Sequence, residues 1–269
     1  MNRQSSDPNP AALYLDLMKL TLMNLVYDDD KDMLMAAHDW DGETGKLHLV
    51  DGVDFEPGAK LRGEIWPSKA HTMIGMARLN NLQACVEDVL SKEIPGDFIE
   101  TGVWRGGATI FMRAILKVYG VKDRLVWVAD SFEGLPKPDA EHYPQDENFD
   151  FSPYQELAVS LEEVRANFRR YNLLDDQVGF LPGWFRDTLP QAPVERLAVL
   201  RLDGDLYQST MEALTHLHPK LSVGGYVIVD DYYAVPACRQ ATDEYRRAEG
   251  IVDRLIPIDR NSAYWRRSK

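Results

Sequence analysis

The sequence predicts an α/β fold, a mostly parallel sheet with helices on both faces, and three observations predict it. From about residue 95 onward, strand-length apolar runs alternate with helix-length amphipathic runs, the order that builds a parallel sheet. Runs such as LVWVADSF (125–132) and LAVLRLDGD (197–205) lack polar alternation, as strands buried on both faces do. Several of these runs end in Gly or Asp, residue types that suit the turns where such sheets collect ligands.

Taken in order, residues 1–10 read as a tail and 11–27 (AALYLDLMKLTLMNLVY) as a helix apolar over most of its circumference. Leu13, Leu17, Leu20 and Met23 lie near one face, with Leu15, Met18, Leu22 and Leu25 on its flanks. Such a helix must be covered by its own domain or by a second subunit, and a homodimer or higher homo-oligomer is expected. Residues 28–66 are polar, Gly-rich and acidic and read as a long excursion. A helical pattern starts near Ser68 and carries Met73, Met76, Leu79, Leu82, Val86 and Leu90. The division expected is an N-terminal arm, helix and lid over 1–67 and the main domain over 68–269.

Within that domain, Pro95-Gly96 leads into the strand DFIETGV, followed by the helix ATIFMRAILKVYG and the strand LVWVADSF. A long loop (133–155), rich in Pro, acids and aromatics, precedes the helix LAVSLEEVRANFRRYNL. VGFLPG, LAVLRLDGD and GGYVIVDDY are strands, with the helix STMEALTHLHPKLS between the last two. PACRQATDEYRRAEG is a helix, and strand-like segments around LIPI and AYWRR close the chain.

Forty-three acidic against 30 basic residues give a net charge of −13, which argues against nucleic acid or an anionic membrane as partner. The N-terminus has no signal-peptide core, and no apolar run approaches a membrane span. Two cysteines, Cys85 and Cys238, lie far from any metal-ligand spacing and fit a reduced cytoplasmic protein.

At the end of the first strand of this domain, Glu100-Thr101-Gly102 leads through Gly106-Gly107 into a helix. Gly102 permits a tight turn and close backbone approach. The spacing is neither a P-loop nor GxGxxG. A carboxylate at Glu100 would repel a pyrophosphate but attract the sulfonium and ammonium of S-adenosylmethionine, so that cofactor is expected over NAD. Asp130, 30 residues on at the end of the next strand, is placed to accept both hydroxyls of an adenosine ribose, or else to cap the following turn.

Two later strands end in Asp203-Gly204-Asp205 and Asp230-Asp231. Side by side, these carboxylates repel one another unless a cation sits among them, and oxygen-only donors suit Mg²⁺. Unrelated turn aspartates capping helices are the alternative. A divalent ion there could hold two acceptor oxygens and acidify the one to be methylated. Trp184 and Phe185 could stack on adenine or be core aromatics, and Tyr207 and Tyr232 could line an acceptor site or pack. Arg105 could contact a carboxylate at the site or pair with a surface acid. His216 and His218, two apart in a helix, point to different faces.

The segments AHTMIGMARLNNLQACVE, ETGVWRGG, WVADSFEGLPKP, FLPGWFRDTLP, LAVLRLDGDLYQSTM and GGYVIVDDY resemble the macrocin O-methyltransferase family of macrolide-sugar and aminocoumarin O-methyltransferases. The resemblance runs from about residue 68 to the C-terminus, with a weaker match at the N-terminal helix and a looser one over 28–66. It implies a Rossmann-like class I methyltransferase fold and methyl transfer from S-adenosylmethionine to a hydroxyl of a small natural product, with a glycosyl hydroxyl in antibiotic biosynthesis expected first. It further implies Mg²⁺ held at Asp203, Asp230 and Asp231, with Asp203 as general base. Glu100, Thr101, Gly102, Asp130 and Ser131 would meet the cofactor together with Asp203, and the segment at Thr72 and Met73 would reach over it. The loop near 137–154 would close over the acceptor, with His142 as a second candidate for the proton. A phenol- or catechol-directed enzyme, or a non-catalytic S-adenosylmethionine-binding module, are the rival expectations.

Overall fold

The computed structural model describes residues 9–27, 35–40, 47–51 and 58–269. Helix α1 (Pro10–Leu22) is followed by strands β1 (Met35–Trp40) and β2 (Leu47–Asp51), the short helix α2 (Ala59–Arg62) and strand β3 (Ile65–Trp66). The excursion expected over 28–66 thus holds a three-stranded antiparallel sheet of order β2-β1-β3. Then come α3 (Gly75–Ser91), β4 (Asp97–Thr101), α4 (Gly107–Val118), β5 (Val126–Asp130), α5 (Leu161–Arg170), β6 (Val178–Pro182), α6 (Phe185–Thr188) and β7 (Leu197–Leu202). The chain ends with α7 (Tyr207–Leu217), β8 (Leu221–Val229), α8 (Pro236–Ala248), β9 (Ile256–Pro257) and β10 (Ala263–Arg266).

Seven strands form the main sheet in the order β6-β5-β4-β7-β8-β10-β9. The first five are parallel, and β10 and β9 add antiparallel at one edge. Strands run outward in chain order from β4 through β5 to β6 on one side and from β7 to β8 on the other, where β10 then lies inside β9. The carboxyl ends of β4 and β7 therefore flank the switch point, where a crevice opens.

Side chains alternate between two cores. Phe98, Val128 and Val199 face the core that α1, α3, α4 and α5 close through Leu22, Leu79, Phe111 and Phe168. Ile99, Ala129 and Leu200 face the core closed by Leu214 of α7 and Tyr245 of α8. Every residue of β7 is buried, as its unbroken apolar pattern requires, and that includes Arg201.

Helix α1 packs on α4 with Leu15, Met18 and Leu22, so its own domain covers the flank of the sequence-predicted stripe. Leu13, Leu17 and Leu20 point outward, while Met23 is buried with the flank. The helix expected from Ser68 begins only at Gly75. Its upstream main-chain groups are taken elsewhere, because Arg105 donates to Pro67 O and Ala70 O, and the His71 N–H donates to Leu22 O. Residues 67–74 run across the crevice instead. Among the described residues no helix is long and apolar enough to cross a membrane.

Candidate active site

A cavity of about 610 Å³ lies at the carboxyl ends of β4, β5, β7 and β8. Its floor starts at Gly102, whose φ is +83°. A Cβ there would stand 1.9 Å from the Asp203 carbonyl oxygen, so only glycine lets the end of β4 press against the end of β7.

Glu100 lines the cavity and is buried. Its Oε1 accepts from Arg201 Nη1 at 2.5 Å, and its Oε2 has no partner among the described residues. Burial, opposed by Arg201 and reinforced by Asp203 and Asp230, pushes its pKa up to about 8. Asp130, closing β5, also lines the cavity. It accepts the Val103 and Phe132 N–H groups at 2.7 Å each, which ties the glycine turn to β5. Burial raises its pKa against the pull of those N–H groups. Ser131 donates to Gly134 O at 2.7 Å and lines the same wall. Thr72 and Met73, on the segment crossing the crevice, complete this end. Thr101 is buried and does not line the cavity, its side chain lying on the opposite face of β4 from Glu100.

At the other end, carboxylate oxygens of Asp203, Asp230 and Asp231 all lie within 4.8 Å of one another. The sheet register explains the convergence. Asp203 follows β7 and bonds Thr101 O through its N–H at 2.9 Å, and Asp230 follows β8 and bonds Leu202 O in the same way. Asp205 joins the group from a left-handed backbone position (φ +58°). Burial first, then mutual repulsion, raises the pKa of Asp205 and Asp231 far above the carboxylate range; burial also raises that of Asp203, with Arg201 opposing.

Two arginines that the sequence left unremarked sit inside this cluster. Arg201 Nη1 bridges Glu100 and Asp203 Oδ2, the latter at 2.6 Å, and its Nη2 bonds Asp230 Oδ1. Arg78 Nη1 holds Asp230 Oδ2 at 2.5 Å, while its Nε reaches Asp259 at 3.0 Å. A signal for Arg201 was present: a lone cation inside a strand with no polar alternation must have buried anionic partners. Part of the cation expected among these acids is thus supplied by the chain itself. Even so, Glu100, Asp203, Asp205, Asp230 and Asp231 outnumber these two arginines, and Asp231 Oδ2 is buried without a partner among the described residues. An oxygen-only, electron-rich group of this kind can hold a hard divalent cation.

The structure does not bring His142 to the cavity. It is 70% exposed and pairs with Asp139 at 2.8 Å on the acidic loop. That loop does supply Leu135, Lys137 and Phe151 to the cavity wall. Trp184 and Phe185 line the cavity as well. Tyr207 and Tyr232 turn away to bond Glu244 and Asp243, and the neighbouring Tyr233 lines it instead. Arg105 braces the crossing segment and stacks 4.1 Å above the Trp104 ring. Cys85 and Cys238 are buried free thiols.

A glycine turn, a buried acid before it and a switch-point cavity in a seven-stranded, mostly parallel sheet define a Rossmann-like class I methyltransferase. The family model of the macrocin O-methyltransferases matches residues 11–267, so the chain belongs to that family and is an S-adenosylmethionine-dependent O-methyltransferase. It is 54% identical over 259 residues to mycinamicin III 3''-O-methyltransferase of Micromonospora griseorubida, covering 95% of this chain and 96% of that protein. It is 51% identical over 260 residues to demethyldecarbamoylnovobiocin O-methyltransferase of Streptomyces niveus, covering 96% and 95%. It is also 54% identical over 255 residues to 8-demethyl-8-(2,3-dimethoxy-alpha-L-rhamnosyl)-tetracenomycin-C 4'-O-methyltransferase of Streptomyces olivaceus, covering 94% and 92%. Among solved structures, the O-methyltransferase NovP superposes with a TM-score of 0.86 at 52% identity, covering 96% of this chain and all of that one. The calicheamicin methyltransferase CalS11, at 23% identity and a TM-score of 0.57 over 71% of this chain and 79% of that one, shares the fold.

Proposed function

We propose that this enzyme methylates a sugar hydroxyl of a glycosylated natural product, with Mg²⁺ held by Asp203, Asp230 and Asp231. The convergence of those three carboxylates within 4.8 Å, in the cavity that Glu100 and Gly102 line, carries the metal assignment. The sugar is supported by the names of the relatives, one of which acts on a rhamnosyl-bearing tetracenomycin.

S-Adenosylmethionine supplies an electrophilic methyl group, and the ion would lower the pKa of the acceptor hydroxyl. Glu100 Oε2, without a partner among the described residues, is a place for the cofactor's cationic end. Asp130, at the cavity wall beside Ser131, offers its carboxylate to the ribose hydroxyls. Thr72 and Met73 would cover the cofactor and exclude water. Asp203, with Oδ2 fixed by Arg201, takes the acceptor proton. We assign this role to Asp203 and none to His142, which lies outside the cavity lining. In-line alignment of acceptor and methyl group supplies much of the rate.

The buried thiols suit a reduced cytoplasm. The outward face of α1, with Leu13, Leu17 and Leu20, suits a second copy of the chain, as in a homodimer.

The test is turnover on a glycosylated polyketide and on its phenolic aglycone, with and without chelator. Methyl gain on the sugar fragment by mass spectrometry is expected, lost in EDTA and restored by Mg²⁺. Asp203→Asn should lower turnover at least about 100-fold with cofactor affinity almost unchanged. Chelator-resistant turnover would remove the metal, and methylation of the aglycone alone would remove the sugar.

A further inference from the structure

Arg201 stands between the two ends of the cavity. On β7 it is the register partner of Glu100 on β4, and Asp203 and Asp230 follow the ends of β7 and β8. One buried guanidinium therefore touches three carboxylates. Nη1 serves Glu100 at 2.5 Å and Asp203 at 2.6 Å, and Nη2 serves Asp230. A guanidinium is a rigid planar fork, so a shift toward one partner is a shift away from another. With 1% of its side chain exposed, Arg201 has no water to make up for a partner that changes.

The two ends differ in what remains open. Among the described residues, Glu100 Oε2 and Asp231 Oδ2 have no partner. Asp230 is held from both sides, by Arg201 on Oδ1 and by Arg78 on Oδ2. The hydrogen bonds of Arg78 go to Asp230, Asp259 and Gly63 O, and none goes to Glu100. Arg201 is thus the link between Glu100 and the aspartates, and Arg78 is a brace at the far side.

We propose that Arg201 is a positioning residue that couples the cofactor end to the metal end. The charge on Glu100 sets how much of the guanidinium is left to Asp203 and Asp230, and so how tightly the aspartates hold a divalent ion. When Glu100 is fully charged it draws on Arg201, and the aspartates keep their negative charge for the metal. When that charge is lost or neutralised by a cationic ligand, Arg201 turns to the aspartates and competes with the metal. The proposal rests on the metal assignment above.

The experiment is Mn²⁺ binding to the cofactor-free protein, followed by electron paramagnetic resonance. Glu100→Gln should weaken Mn²⁺ binding about tenfold although Glu100 is outside the aspartate triad. In the Arg201→Lys background, which keeps the charge and loses the fork, the same substitution should cost less than about threefold. In the Arg78→Lys background it should again cost about tenfold. The spectrum of bound Mn²⁺ in Glu100→Gln alone should also change, because Asp203 and Asp230 are re-aimed; this reading needs no Arg201 variant and covers the case in which Arg201→Lys does not fold. Equal losses in the wild-type and Arg201→Lys backgrounds overturn the coupling. So do an unchanged affinity and spectrum in Glu100→Gln. If Asp203→Asn abolishes Mn²⁺ binding in either of these cases, the metal assignment survives and only the coupling fails. A wild-type protein that binds no Mn²⁺ overturns both.

Discussion

The carboxylate of Asp146 accepts the main-chain N–H of Tyr207 at 2.7 Å, from 61 residues earlier in the chain. It also accepts the Gln208 N–H at 3.0 Å, so it caps α7, whose own N-cap residue Leu206 offers no side-chain bond. The acidic loop is thereby fastened to the helix that starts just after Asp205. A carboxylate at a helix N-terminus satisfies free donors and meets the positive end of the helix dipole.

Asp146→Ala should therefore cost about 1–3 kcal/mol, because two half-buried N–H groups lose their acceptor. Asp146→Asn, which keeps one carbonyl oxygen, should cost less. Urea unfolding measures both. Since Phe151 of the same loop lines the cavity, the acceptor KM of Asp146→Ala should rise more than its cofactor KM. Equal stability of wild type and Asp146→Ala would show that the cap is dispensable.

Gly102 and Gly120 offer a matched pair. Both have positive φ, +83° and +67°, but a Cβ at Gly120 meets nothing within 4 Å. Gly120→Ala should show backbone strain alone, about 1–2 kcal/mol. Gly102→Ala adds the collision with Asp203 O and should cost about 4 kcal/mol or more, or fail to yield soluble protein. Similar melting temperatures for the two variants would contradict the close approach of β4 and β7.

The parallel sheet was readable because its strands are uninterrupted apolar runs, and the site because its acids sit at strand ends. Glu100, Asp203, Asp230 and Asp231 all fall in one cavity for that reason alone. What stayed hidden depends on partners distant in sequence. Arg78 meets Asp230 across 152 positions and Asp146 meets Tyr207 across 61, and neither pairing leaves a local pattern. The late start of α3 was hidden in the same way, since Arg105 and Leu22 draw the main chain of 67–71 out of a helix that its apolar spacing favours. The small sheet of β1, β2 and β3 sits in a polar segment where neither period is strong.

A homodimer through α1 gives a prediction that separates assembly from folding. Leu17 is 55% exposed and makes no part of either core, so a polar substitution there should alter stability by less than about 0.5 kcal/mol in a monomer. Leu17→Glu should convert a dimer to a monomer in size-exclusion chromatography with light scattering, with the melting transition retained at high dilution. A wild-type monomer, or a Leu17→Glu dimer, would exclude this face.

His218 makes stability depend on pH. It is buried between Tyr245, whose hydroxyl lies 3.3 Å from Nδ1, and Trp265, and its Nε2 has no partner among the described residues. Burial, with the nearby Arg267, lowers its pKa from 6.5 to about 4. Between those values the unfolded chain binds the proton and the folded chain does not. Stability from this residue is thus complete above about pH 6.5 and is lost as pH falls toward 4, by up to about 3 kcal/mol. His71, beside Tyr171 and also lowered to about 4, adds a loss of the same sign in the same window. His218→Gln removes one of the two contributions. The difference in unfolding free energy between wild type and this variant, followed by urea titration from pH 7 to pH 4, should shrink steadily with acid. A difference that stays constant across that range would mean that His218 takes up its proton without unfolding cost.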